Sequence, residues 1–377
     1  MSTAIHTLTA AFNDAFAQLG QSAEHDRRVL VTSWPSLPVE IIRASGLRLV
    51  VATASTTATP AADAHLEPGL FPSRVRQLVD AALTGRLVHV AQVVVPRTSD
   101  SDYKCFLYLR EFVRGSLAAA MAPTVLFDLL QSDGPHVGRH NAERTRALLD
   151  TVGDASGHHP SDDELRDEIR VTNTARAAAR RLAALRIGAP LVSGTELFPL
   201  LGAFWHVPPR EYASLANQAA EDLANRPPLP GPRVLFAGAP VDGTDLHSAI
   251  ESRGAVVVDE ISAWSSPGTD DDVRCGEDPI AALADACRCR TVGARLPASA
   301  MRDRVERALD HVDAVVVSLP DDDATFGWDY PALRERLTAR GLPHAVLRGE
   351  AHPFPFADGE RLERLVDAAS RYRAHHG

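Results

Sequence analysis

Short apolar runs of strand length recur along this chain, and each is followed after a turn by a stretch with helical spacing. In the first part these runs are Arg28–Ser33 (RVLVTS), Leu47–Ala52 (LRLVVA), Leu87–Val95 (LVHVAQVVV) and Pro123–Leu130 (PTVLFDLL). Between them, the proline–valine–glutamate step of WPSLPVEIIRASG starts a helix in which Ile41, Ile42 and Ala44 can face a core, and Gly46 stops it. Pro72–Thr84 places Val75, Leu78, Val79 and Leu83 at helical spacing ahead of Gly85. Strands that are apolar throughout and alternate with helices make a parallel sheet covered on both faces.

The same alternation returns later. Val234–Gly238 (VLFAG), Ala255–Asp259 (AVVVD), DAVVVSLP and HAVLRG read as strands. Asp242–Arg253, Pro279–Ala286, Ala298–His311, Pro331–Arg340 and Asp358–Tyr372 read as helices. From about Asn141 to Arg226 the pattern is helical only, and Ser161 with Glu164 forms a capping box. The proline-rich PPLPGP (Pro227–Pro232) is a stiff linker. A chain of 377 residues also exceeds what one core usually serves. The expected fold class is α/β, with two doubly wound parallel-sheet domains joined by a helical segment and a cleft between the domains. The expected limits are 1–140, 141–228 and 229–377.

Several function classes are disfavoured. A formal charge of −10 does not suit a sequence-independent nucleic-acid binder, which needs clustered Lys and Arg. No run of about 18 apolar residues is present, so no membrane span is expected. Met1–Gly20 has no basic start and carries Asn13 and Asp14 in its apolar stretch. It reads as an amphipathic helix and not as a signal peptide, which points to the cytoplasm.

The four cysteines, Cys105, Cys275, Cys287 and Cys289, then read as reduced thiols. Cys287 and Cys289 form a C-x-C without the second pair that a zinc site needs. His136 and His140 have i, i+4 spacing but no evident third ligand, and His158 and His159 lie in a polar turn. No metal site is expected from them. GAPVDGTDL (Gly238–Leu246) lacks the middle glycine of a dinucleotide turn and reads as a tight turn capped by Asp242 or Thr244.

Polar residues do gather where strands end. Ser33 follows the first strand, Ser99 and Asp100 follow the third, and Asp321–Asp323 follow DAVVVSLP. Ligands of open α/β sheets bind at the carboxyl ends of strands, so these groups are expected to share one cleft.

Several segments, quoted as they stand here, resemble a known family. They are TSWPSLPVEIIRASGLRLV, FPSRVRQLVDAALTGRL, RTSDSDYKCFLYLR, TNTARAAARRLAAL with SGTELF, RVLFAGAPVDGTDLHSAIESRGAVVVDEI, and VDAVVVSLPDDDATFGWDYPALRERLTARGLPHAVL. In order and spacing they resemble subunits of the 2-hydroxyacyl-CoA dehydratase and benzoyl-CoA reductase family over roughly residues 27–370. The resemblance implies two α/β domains, pairing with a homologous subunit, and a 4Fe–4S cluster held by cysteines between the domains. In the family an ATP-driven activator supplies one electron, and the acyl-CoA thioester becomes a ketyl radical.

This chain departs from the family at the cluster cysteines. Phe71, Ser99 and Asp323 stand at the three cysteine positions. Iron–sulfur clusters are held by thiolates, so no cofactor is expected. Glu40 matches the second acid of the family's proline–glutamate–glutamate step; a buried carboxylate there is expected to have a raised pKa suited to acid–base work. The expected catalytic residues are Glu40, Ser99, Asp100 and Asp323, and the expected substrate-binding residues are Ser33, Trp34, Phe71 and Asp322. The resulting expectation is a non-redox enzyme acting on an acyl thioester or similar acid by dehydration, hydrolysis or acyl transfer. The alternative is a non-catalytic partner of a cluster-bearing homologue. The expected assembly is a homodimer or a heterodimer with a homologous subunit, with no nucleic-acid or membrane partner.

Overall fold

In a computed structural model the described strands form two four-stranded sheets, every strand parallel to its neighbours. The structure describes residues 2–67, 69–118, 120–239, 241–262, 264–265, 271–290, 295, 298–319, 323, 325–349 and 359–376. The first stretch runs α1 (Thr3–Asp14), α2 (Ala23–Asp26), β1 (Val29–Thr32), α3 (Val39–Ala44), β2 (Arg48–Val51), α4 (Pro60–Asp63), α5 (Ser73–Leu83), β3 (Gln92–Pro96), α6 (Asp100–Arg114) and β4 (Thr124–Phe127). Helices follow: α7 (Pro135–Ser156), α8 (Asp162–Ala184), α9 (Gly194–Gly202), a 3₁₀ turn (Ala203–Trp205) and α10 (Pro209–Ala224). The last stretch contains β5 (Arg233–Gly238), α11 (Asp245–Glu251), β6 (Val256–Glu260), α12 (Pro279–Arg290), α13 (Ala298–Leu309), β7 (Ala314–Leu319), α14 (Phe326–Ala339), β8 (His344–Arg348) and α15 (Gly359–His376).

Both sheets have the same strand order, β2-β1-β3-β4 and β6-β5-β7-β8. Winding therefore reverses between β1 and β3 in one sheet and between β5 and β7 in the other. The loops leaving those strand pairs diverge, which opens a crevice at the carboxyl edge. Every residue of β1 and of β7 is buried, as both faces of each sheet are covered.

Side-chain alternation divides the core. Leu30 and Val94 of the first sheet share one apolar cluster with Phe236, Val257 and Val316 of the second, and helices α1, α3 and α7 to α10 contribute to it. The opposite faces pack separately: Val31 and Val93 with α5 and α6, and Leu235 and Val317 with α13 and α14. Phe12 of α1 is wedged edge-on between Phe198 and Trp264, at ring-centroid distances of 5.6 and 5.0 Å. Burial of a side chain that large contributes about 1.5–3 kcal/mol. The expected helix at Met1–Gly20 is thus α1, and Ala4, Ile5, Leu8 and Phe12 are its buried face. The capping box of α8 forms as expected, Ser161 Oγ accepting from the Glu164 amide and the Glu164 carboxylate accepting from the Ser161 amide.

Some boundaries differ from the sequence reading. The strand expected at Leu87–Val95 begins only at Gln92, because Leu87 and Val90 are buried in a turn and not in the ladder. The helix expected from Asp242 begins at Asp245; Thr244 occupies the N-cap position without a side-chain capping bond. Asp358, expected to open the last helix, lies outside the described residues. Among the described residues no helix is long and apolar enough to cross a membrane.

Candidate functional site

The crevice of the first sheet is occupied by a buried polar network. Ser33, directly after β1, is fully buried and donates through Oγ to Asp102 Oδ1 at 2.9 Å. Ser99, after β3, is the N-cap of α6; its Oγ accepts from the Asp102 amide at 3.1 Å and donates to Asp102 Oδ2 at 2.8 Å. Thr98 Oγ1 donates to the same carboxylate. Arg74 of α5 completes the network, with Nη1 donating to Asp102 Oδ1 at 2.7 Å and to the Ser33 carbonyl at 3.0 Å. Trp34 lies against this guanidinium, 4.4 Å from ring centroid to Cζ.

The crevices of the two sheets meet at this guanidinium. Arg74 Nε pairs with Asp242 Oδ2 at 3.4 Å, and Asp242 belongs to the turn after β5. Trp34, from the first sheet's loop, is counted in the apolar cluster of the second sheet's outer face. The turn requires glycine at Gly238: its φ is +96°, and a Cβ there would sit 2.3 Å from the Ser318 carbonyl oxygen of β7. Ser33 and Ser99, both expected at strand ends, are brought together on Asp102. The strand-end expectation did not anticipate Asp102, Arg74 or the cross-sheet role of Asp242.

The remaining expected residues have separate surroundings. Phe71 is buried and packs edge-on against Tyr108 at 5.7 Å. Asp323 accepts from the backbone amides of Phe326 at 2.9 Å and Gly327 at 2.6 Å, which caps the start of α14. Asp100, the first residue of α6, is exposed. Asp322, like Asp321, lies outside the described residues. Cys105 is buried one turn beyond Asp102, where burial and the Asp102 charge push its thiol upward against the opposing Arg74 charge.

Glu40 lies elsewhere along the same loop. It is buried in the first turn of α3, and its Oε1 accepts from Arg176 Nη2 of α8 at 2.5 Å. Burial alone would raise its pKa, but Arg176 and the more distant Arg290 outweigh burial and hold the carboxyl below its usual value. This corrects the expected raised pKa: Glu40 is a carboxylate at neutral pH. It lines a cavity of about 40 Å³ with Arg176, Phe204, Trp205, Cys287 and Arg290. Ala286 and Arg290 also line a groove of about 790 Å³ at the carboxyl end of β6, where Arg274, Arg304, Arg307 and His311 add basic groups and Asp259, Asp271, Asp272 and Asp285 acidic ones. Glu260 borders this groove from beneath, held by Arg186 Nη1 at 2.9 Å and His247 Nε2 at 2.9 Å.

His136 and His140 share α7 but are exposed, and Cys287 is buried while Cys289 is exposed on α12. Among the described residues no group of three or more His, Cys, Asp and Glu side chains is placed to hold a metal ion.

A signal for the missed residues is present in the sequence. Asp102 lies on one helical stripe with Cys105, Leu109 and Phe112, all buried. Arg176 lies on the stripe of Ile169, Thr172, Ala179 and Ala183. A charged residue on an otherwise apolar stripe marks a buried ion pair.

Comparison with known proteins agrees with this architecture. The family model for the D-component of 2-hydroxyglutaryl-CoA dehydratase matches residues 36–368. No protein of curated function matches the chain. With nearly all of both sheets and the helices between them inside the matched stretch, the chain belongs to the 2-hydroxyglutaryl-CoA dehydratase D-component family.

Proposed function

We propose that this member of the family is a non-redox enzyme that binds an acyl thioester or a related acid between its two sheet units and works without a resident 4Fe–4S cluster. The observation that carries this reading is the cavity beside Glu40, which shares Arg290 and Ala286 with the arginine-bearing groove. The small cavity suits a short acyl end. The groove, at about 790 Å³, is in the size range of a cofactor-sized ligand, and its arginines suit phosphate groups. Ionised Glu40, positioned by Arg176, is a hydrogen-bond acceptor that can orient a substrate hydroxyl or a water, and as a base it is weakened by its lowered pKa. Ser99 and Asp323 cap helices and Asp100 faces solvent, so the acid–base work centres on Glu40.

The donor chemistry at the three cysteine positions does not suit the family's cluster. A packed phenyl ring, a capping hydroxyl and a capping carboxylate replace soft thiolates. Anaerobic purification and reconstitution with iron and sulfide tests this; iron and sulfide at background level are expected. Titration with acyl-CoAs tests the groove, with binding expected in the wild type and weakened about tenfold by Arg290→Ala, which removes one charge-assisted contact. A stoichiometric, iron-loaded 4Fe–4S protein, or acyl-CoA affinity indifferent to Arg290, would refute the reading.

A second reading has one feature in its favour. Trp328 of α14 is 86% exposed, close to Asp323 in the chain, and an exposed tryptophan suits a contact with a homologous subunit. In that reading the chain is a non-catalytic partner of a cluster-bearing homologue. Co-expression with such a homologue separates the two, since only the partner reading expects a complex that Trp328→Ser dissociates.

A further inference from the structure

A second pocket lies at the opposite end of the first sheet, away from Ser33 and Ser99. It has a volume of about 410 Å³ and is walled by the residues that lead into β1 and β2, by α3 and α8, and by the connection from the 3₁₀ turn into α10. Leu47, Leu49, Val207, Pro208 and Pro209 give it an apolar floor and sides. It shares only the Trp205 wall with the Glu40 cavity and no residue with the Arg74–Asp102 network.

Its charges are unbalanced. Arg28, Arg43 and Arg48 line it with one carboxylate, Glu168, while the charges of Glu40 and Asp26 also act on Arg43 and Arg48, which leaves Arg28 as the unanswered one. Arg43 is engaged with the protein, donating to the carbonyls of Phe204 at 2.6 Å and Val207 at 3.2 Å. Glu168 accepts from Thr172 Oγ1 at 3.1 Å, and burial raises its pKa against the charges of Arg43 and Arg210. Arg48 donates to His25 Nε2, while His25 Nδ1 meets the buried Asp26 carboxylate at 3.3 Å. Arg28 is exposed at the mouth, and among the described residues its guanidinium has no hydrogen-bond or ion-pair partner.

Two further features favour an anion. The 16-residue helix α10 begins here, at Pro209, and no side chain caps it, because Pro208 is its N-cap. The positive end of its backbone dipole is therefore directed toward the pocket wall, with only the exposed Glu211 in its first turn to offset it. Trp205 is 92% buried, forms a wall common to this pocket and the Glu40 cavity, and its Nε1 donor has no partner among the described residues. His206, also in the wall, supplies no charge: burial and the charges of Arg48 and Arg43 push its pKa down to about 3.

We propose that this pocket binds a small organic monocarboxylate, with the carboxylate at Arg28 and Arg48 and an apolar body against Leu47, Leu49 and Val207. A free inorganic anion leaves the apolar walls unused, and a neutral molecule leaves the excess arginine charge unanswered. The ligand is therefore a free acid with an aliphatic or aromatic tail, and it binds apart from the thioester groove.

Isothermal titration of the full chain with hexanoate, hexanol and inorganic phosphate tests this. Hexanoate is expected to bind, with hexanol and phosphate at least tenfold weaker. Arg28→Gln, at an exposed position that leaves the fold intact, is expected to weaken hexanoate about tenfold, in line with loss of one charge-assisted hydrogen bond. Arg48→Gln is expected to do the same, with an unchanged circular-dichroism spectrum as the check on folding. A soak with 6-bromohexanoate is expected to place the bromine's anomalous peak against Leu47 and Val207. Absence of hexanoate binding by the wild type, affinity unchanged in Arg28→Gln, or a bromine peak outside this pocket would each overturn the proposal.

Discussion

Asp102→Ala tests whether the buried network in the first crevice holds the structure together. The carboxylate is fully buried and accepts from Arg74 at 2.7 Å, Ser33 at 2.9 Å and Ser99 at 2.8 Å, as well as from Thr98. Removing one member of a buried ion pair destabilises by about 3–5 kcal/mol, because the surviving charge is left uncompensated. Arg74 keeps Asp242 at 3.4 Å, which moves the expected loss to the lower end, about 3 kcal/mol. The double variant Arg74→Met with Asp102→Leu removes both charges and restores apolar volume, so it is expected to recover most of that loss. Urea unfolding followed by fluorescence and by circular dichroism reads the difference, provided the two transitions coincide and the slope is unchanged. An Asp102→Ala protein within about 1 kcal/mol of wild type, or a double variant as unstable as the sum of its parts, would refute the reasoning.

Other outcomes follow from the same buried groups. Burial would raise the pKa of Glu260, but His247 and Arg186 hold it at about 2, below its unfolded value, so its contribution is present above about pH 4.5 and is lost as pH falls toward 2. Glu260→Gln is expected to flatten the stability profile in that window. His206 is lowered to about 3, so the unfolded chain takes up its proton first and stability declines as pH falls below about 6.5; His206→Phe is expected to remove that slope between pH 6.5 and 5 in acid titrations of unfolding. Glu40→Gln leaves Arg176 with a weaker partner and removes the base, so acyl-transfer or dehydration turnover, once a substrate is found, is expected to drop about 100-fold or more while thioester binding persists. Thiol labelling at neutral pH is expected to modify the exposed Cys275 and Cys289 quickly and to leave Cys105 and Cys287 protected until unfolding, since burial pushes Cys287 up to about 12.

The sheets are legible in the sequence because their strands are apolar on both faces and alternate with helical stretches, the pattern of a covered parallel sheet. The same logic failed at Leu87–Ala91, where an apolar stretch is buried as a turn; hydrophobicity reports burial and not backbone conformation. Ser33 and Ser99 were found from their position after strands. Asp102 was overlooked in favour of Asp100, two residues earlier, although Ser99 as N-cap fixes the register and turns Asp102 inward. Asp242 was read as a local cap because sequence proximity favours local bonds, whereas its partner, Arg74, lies in the other sheet unit. The direction of the Glu40 pKa depends on Arg176, a residue on a different helix that no local pattern connects to it.

One apolar cluster runs without interruption from Leu30 through the central helices to Val316. Those helices act as a keel common to both sheets, so a hinge that swings one sheet away from the other would tear this cluster open. Ligand entry then depends on side chains and loops at the rim of the groove, and heat should melt both halves in one event. Severing the chain at Pro227–Pro232 would strand an oily face on each fragment and favour clumping over independent folding.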